Sequence, residues 1–104
     1  MPKAYILINC ESGYEGLVAN DIKSIDNVLT CRIVYGAYDI IVEIIFDTLK
    51  QLEYIIKKRI RKISKIQYSM TLIPFEFNWN EVYLYLANNN INAQYIKYMI
   101  NILK

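Results

Sequence analysis

Asp39 sits in the stretch VYGAYDII, residues 34–41, between a glycine-containing turn and a run of β-branched residues. A carboxylate in that place can accept a charge-assisted hydrogen bond from an ammonium group. The turn N–H groups of Gly36, Ala37 and Tyr38 can receive a carboxylate, as successive backbone donors do in anion-binding nests. Further along, IQYSMTLI, residues 66–73, carries Ser69 and Thr71, whose hydroxyls both donate and accept. An acceptor for a cationic group, donors for an anionic one and nearby side chains for a wall are what a small charged ligand requires. The same residues also fit a plainer reading. Gly36 then only supplies a positive φ, and Asp39 only bonds the loop backbone, as Asp does in many turns. Residue types alone leave both readings open.

Other chemistry is sparse. The chain has no histidine, and Cys10 and Cys31 lack metal-type spacing. It shows no close pair of carboxylates, no setting that activates a cysteine and no phosphate loop. No cofactor or metal is expected, and the chain is not read as an enzyme. Hydrophobic residues make up 55% and charged residues 21%, a balance that excludes a disordered chain and gives 104 residues one modest core. No apolar run approaches the roughly 18 residues of a membrane span, and a strand pattern starts almost at Met1. No leader and no membrane are therefore expected, and reduced thiols suit a cytoplasmic protein.

The elements that position these residues follow from periodicity. AYILIN, 4–9, reads as a strand, and Ser12 with Glu15 fits a capping box opening a helix that ends at Asp26-Asn27. VLTCRIVY, 28–35, and DIIVEIIF, 39–46, read as strands joined by a short hairpin loop at Gly36-Ala37. A second capping box, Thr48 with Gln51, opens a helix whose Leu49, Leu52, Ile56, Ile60 and Ile63 form one stripe. IQYSMTLI then alternates, with Tyr68, Met70 and Leu72 on one face and Gln67, Ser69 and Thr71 on the other. The order βαββαβ predicts an α+β, ferredoxin-like sandwich: a four-stranded antiparallel sheet with two helices on one face and the first and third strands central. Strand 39–46 is apolar on both faces, so the side away from the helices needs a cover. A second copy packing sheet to sheet is the expected cover, with the C-terminal extension as the alternative. Arg32 and Glu43 are expected to pair on that face.

With this order in place, residues 4–73 resemble the ligand-binding (RAM) domain of the Lrp/AsnC family of feast/famine regulators. The resemblance rests on AYILIN, on IDNVLTCRIVYGAYDIIVEI with its strand-G-x-Y-D-strand hairpin, and on IRKISKIQYSMTLI with its S-x-T strand. It is the stand-alone form that is resembled, since the helix-turn-helix DNA-binding domain of the regulators does not occur in this sequence. The resemblance implies a module that dimerises through its sheet, assembles into rings of dimers, and binds amino acid effectors in clefts between dimers. The ligand-binding residues it implies are Tyr35, Gly36, Ala37, Tyr38 and Asp39, with Ser69, Met70 and Thr71 opposite. The partners implied are copies of the chain, an amino acid effector and a DNA-binding Lrp-type regulator that carries the output.

Residues 1–74 are thus read as the ligand-binding domain and 75–104 as a C-terminal extension, a strand continuation through Phe75, Phe77 and Trp79 followed by short helices near 81–88 and 92–103. KKRIRKISK, 57–65, holds six of the twelve basic residues, and either a phosphate-binding stripe or a solvated helix face accounts for it. The near-balanced net charge of +2 favours the solvated face, so no direct nucleic-acid binding is expected. The ten tyrosines read as half-buried sheet and helix-edge residues with a wet hydroxyl. The functional reading is a non-enzymatic, oligomerising regulatory module that binds an amino acid. A structural adaptor without ligand and a dimeric ferredoxin-like enzyme are the alternatives.

Overall fold

The structure, a computed structural model, describes residues 2–74. The elements are β1 (Lys3–Cys10), α1 (Glu15–Lys23), β2 (Val28–Ile33), β3 (Ile40–Ile45), α2 (Leu49–Tyr54), running on as a π-helical segment over Ile55–Ile60, and β4 (Ile66–Leu72). The strands form one antiparallel sheet in the order β2-β3-β1-β4, so the first and third strands are central, as the ferredoxin-like pattern requires. The extension expected after Pro74 lies outside the described residues. No helix among the described residues is long and apolar enough to cross a membrane.

Directly opposed residues of antiparallel strands share a sheet face, so the register sorts the side chains. On one face lie Ala4, Ile6, Ile8 and Cys10 of β1 with Ile40, Val42 and Ile44 of β3, all buried. Val18, Ala19 and Ile22 of α1 and Leu49, Leu52, Ile55, Ile56 and Ile60 of the second helix join them in one core with Phe46. Each fully buried Ile or Phe contributes about 1.5–3 kcal/mol relative to exposure. The other face carries two rows, Arg32–Ile41–Leu7–Met70 and Thr30–Glu43–Tyr5–Leu72.

The second helix opens as its sequence predicts. The Thr48 hydroxyl accepts from the Gln51 N–H at 3.1 Å, and Gln51 Oε1 reaches back to the Asp47 N–H at 2.6 Å. The wider π turn lets Ile55, Ile56 and Ile60 all bury while Lys57, Lys58 and Arg59 stay in water. Lys57 pairs with Glu53 one turn earlier at 2.7 Å.

Three local expectations are corrected. Ser12 and Glu15 form no capping box: Gly13 has φ +90°, the chain turns from Glu11 to Tyr14, and the helix starts only at Glu15. The Glu15 carboxylate instead accepts from the Gly13 N–H at 3.0 Å. The loop between β2 and β3 is longer than Gly36-Ala37, because the Val34 N–H to Asp39 carbonyl bond at 2.8 Å closes it around residues 35–38. Arg32 does not pair with Glu43. A register shift between Val28 and Thr30 sets Thr30 opposite Glu43 and Arg32 opposite Ile41, so Glu43 takes Lys3 at 3.0 Å and the Thr30 hydroxyl at 3.4 Å.

Both cysteines are free and buried, with the Cys31 thiol donating to the Ala19 carbonyl at 3.8 Å. Burial pushes both thiols above their ordinary value of 9.0, and the charges of Asp39 and Glu15 add to the effect at Cys10. A raised thiol value means that the stabilising neutral form is fully present below 9.0 and is lost as pH rises through the raised value. The urea midpoint is therefore expected to fall between pH 8 and pH 10, and the fall to be shallower in Cys31→Ala. Thr48→Ala is expected to cost about 1 kcal/mol through its lost cap, read from urea unfolding at constant m.

Candidate functional site

The candidate site is built where the β2–β3 loop folds over the end of β1. Asp39 makes three backbone-directed hydrogen bonds there. Its N–H donates to the Ile8 carbonyl at 2.9 Å and its carbonyl accepts from the Val34 N–H at 2.8 Å. Its Oδ2 accepts from the Cys10 N–H at 3.0 Å. The last bond satisfies a β1 donor beyond Ile8, where the ladder to β3 ends. Oδ1 has no partner among the described residues.

The loop itself behaves differently. Among the described residues the backbone N–H groups of Tyr35, Gly36, Ala37 and Tyr38 have no acceptor, and Tyr35 is fully exposed. Gly36 has φ +143°, a backbone conformation that a side chain disfavours. A run of free donors thus sits next to the half-buried carboxylate of Asp39.

Tyr38 leans from this loop across β1 to β4. Its ring lies 6.4 Å from that of Tyr68 with 23° between the planes, a stacked pair. Its hydroxyl donates to Met70 Sδ at 3.8 Å. The fold thus brings the loop and the last strand together through Tyr38 and Met70. Ser69 and Thr71 are placed otherwise: they oppose Ile8 and Ile6, so they share the helix-covered face, while Met70 opposes Leu7 on the open face. Tyr68 is a member of the cluster that loop and motif reasoning did not name. Its signal was the alternation that sets Tyr68 and Met70 on one face of the strand.

The charges at this end of the sheet are largely committed. Lys65, a non-glycine residue at φ +80°, has its Nζ 3.2 Å from Glu11 and 4.7 Å from the centre of the Tyr14 ring. Its carbonyl also accepts from the Glu11 N–H at 2.9 Å. These contacts hold a backbone conformation that a lysine seldom adopts alone. Among the described residues no three His, Cys, Asp or Glu side chains gather as metal ligands would.

Residues 3–77 match the Lrp/AsnC ligand binding domain. Among solved structures, FFRP-DM1 is 37% identical with a TM-score of 0.69, over 72% of this chain and 100% of its own. A hypothetical protein of Pyrococcus horikoshii is 36% identical with a TM-score of 0.69, over 75% of this chain and 94% of its own. A transcriptional regulator of Neisseria meningitidis, solved as its L-Met complex, shares the fold at 11% identity and a TM-score of 0.61, over 74% of this chain and 53% of its own. No curated protein matches. The match over most of the chain, the two similar solved structures and the ferredoxin-like sheet agree, and this chain belongs to the Lrp/AsnC ligand-binding domain family.

Proposed function

We propose that this ligand-binding domain takes a free α-amino acid at the loop between β2 and β3, and that it works as an oligomer. The observation that carries the reading is the pairing of four acceptor-free loop N–H groups, Tyr35 to Tyr38, with the Asp39 carboxylate beside them. Backbone donors suit an α-carboxylate and Asp39 Oδ1 suits an α-ammonium. Tyr38 and Met70 supply apolar wall. Ser69 and Thr71 stay candidates on the helix-covered face of the same strand, where they would meet a ligand only from the outer side of β4. The regulator whose complex holds L-Met has the same fold, which supports an amino acid as the ligand class.

Oligomerisation is supported by the open sheet face, where Leu7, Ile41, Ile45, Met70 and Leu72 are half-buried around the Lys3–Glu43 pair. A second copy packed there buries this strip, and clefts between dimers then hold the loop. A ligand in such a cleft shifts assembly only by binding the assembled state more tightly. The output would pass to a regulator that carries DNA-binding function. A structural oligomerisation module without ligand is the second reading, and the bond from Cys10 N–H to Asp39 Oδ2 favours it, since it gives Asp39 a purely structural task.

Thermal unfolding with each of the twenty amino acids tests the proposal. A specific ligand at a hundred times its Kd stabilises by about 2.7 kcal/mol, and no shift with any of them supports the module without ligand. Asp39→Asn keeps an acceptor for Cys10 but removes the charge. It is expected to stay folded with a melting temperature lowered by only the difference between a charged and a neutral acceptor, about 1 kcal/mol, while weakening amino acid binding about 10- to 150-fold by calorimetry. Light scattering of the full chain is expected to give a dimer or a multiple of it at micromolar concentration; a monomer would refute the sheet-to-sheet pairing.

A further inference from the structure

We infer that the effector is an α-amino acid with an aromatic side chain, whose ring stacks on the Tyr38–Tyr68 pair; the inference rests on the amino-acid reading above. Asp39 and Tyr38 are consecutive, so the carboxylate and the first ring start about 3.8 Å apart at their Cα atoms. A ligand anchored by its ammonium on Asp39 thus has the aromatic pair within reach of its side chain. The pair is already stacked at 6.4 Å, yet Tyr68 remains 50% exposed, so its ring keeps open surface for a third aromatic group. Met70 Sδ lies against the Tyr38 hydroxyl at 3.8 Å and adds a polarisable wall that adapts to a flat ring.

The same surroundings disfavour the other side-chain classes. An acidic ligand side chain needs a free cation, but Lys65 is held by Glu11 at 3.2 Å and by the Tyr14 ring. Arg32 stands on β2, three strand spacings or about 14 Å from Met70 in the same row. A basic side chain needs a second carboxylate, and Asp39 is already committed to the ammonium. Small polar side chains need several hydroxyl or amide partners, but Ser69 and Thr71 point to the opposite face, which leaves Asn9, in register with Tyr68, as the amide beside the aromatic pair among the described residues. An aliphatic side chain gains burial there, whereas an aromatic one gains burial and stacking.

Calorimetry of the full chain with L-Phe, L-Tyr and L-Trp against L-Leu, L-Ala, L-Asp and L-Lys tests this. An aromatic amino acid is expected to bind tightest. Tyr68→Leu, at a half-exposed position that the core does not need, keeps apolar contact but removes the stack. It should weaken aromatic binding about 2- to 12-fold and leave L-Leu within twofold, while Tyr68→Phe binds as the wild type does. Tighter binding of an aliphatic, small or charged amino acid, or an unchanged aromatic affinity in Tyr68→Leu, overturns the aromatic assignment and leaves the amino-acid reading standing. Binding of none of the seven, with a thermal shift from another amino acid, does the same. No response to any amino acid overturns both.

Discussion

A four-stranded sheet with apolar central strands has two faces to cover, and two crossover helices can cover only one. That constraint organises the rest of the molecule. β3 alternates buried Ile40, Val42 and Ile44 with half-buried Ile41, Glu43 and Ile45. The helices take the first set, and among the described residues the core they close contains no buried polar or charged residue. The second set, with Leu7, Met70 and Leu72, forms an apolar strip whose one acid is tied to Lys3 and Thr30. Glu43 is partly solvated, with 21% of its side chain exposed, so the pair contributes little stability of its own. Its effect is to leave Glu43 partnered within the strip.

The candidate site stands at the end of the sheet, where Asp39 ties the β2–β3 loop to β1 and Tyr38 reaches β4. Asp39 pins the loop to β1 through its N–H and its carboxylate, while its carbonyl closes the loop onto the Val34 N–H. Tyr38 then lies over the sheet end against Tyr68 and Met70, and the N–H groups of residues 35–38 have no acceptor among the described residues. One residue thus has a structural duty and an available oxygen. A hydrogen bond to a charged acceptor is worth about 1.5–3 kcal/mol, so the tether holds the loop while Oδ1 stays open to an ammonium.

Much of this was legible in the sequence. Periodicity located all four strands to within two residues at each end, because alternation and β-branching mark a half-buried pleat. The Thr48–Gln51 cap was legible because both partners lie within one turn. The Ser12–Glu15 cap was not: the motif matched, but Gly13 at φ +90° turns the chain before a helix can start. The Arg32–Glu43 pairing failed for another reason. It depends on register, and the irregularity between Val28 and Thr30 is not written in any local pattern.

The sequence by itself determined the order of elements, the apolar character of both sheet faces, and the hairpin in which Gly36 and Asp39 stand. These follow from residue type and spacing, which act over a few residues. Only the tertiary structure decided that Asp39 bonds Cys10, that Tyr38 meets Tyr68 and Met70, and that Ser69 and Thr71 turn toward the helices. Those contacts join residues about thirty positions apart, 29 for Asp39 and Cys10 and 32 for Tyr38 and Met70. Strand pairing across β1 sets them, and a one-residue change in register would send every side chain of β4 to the other face.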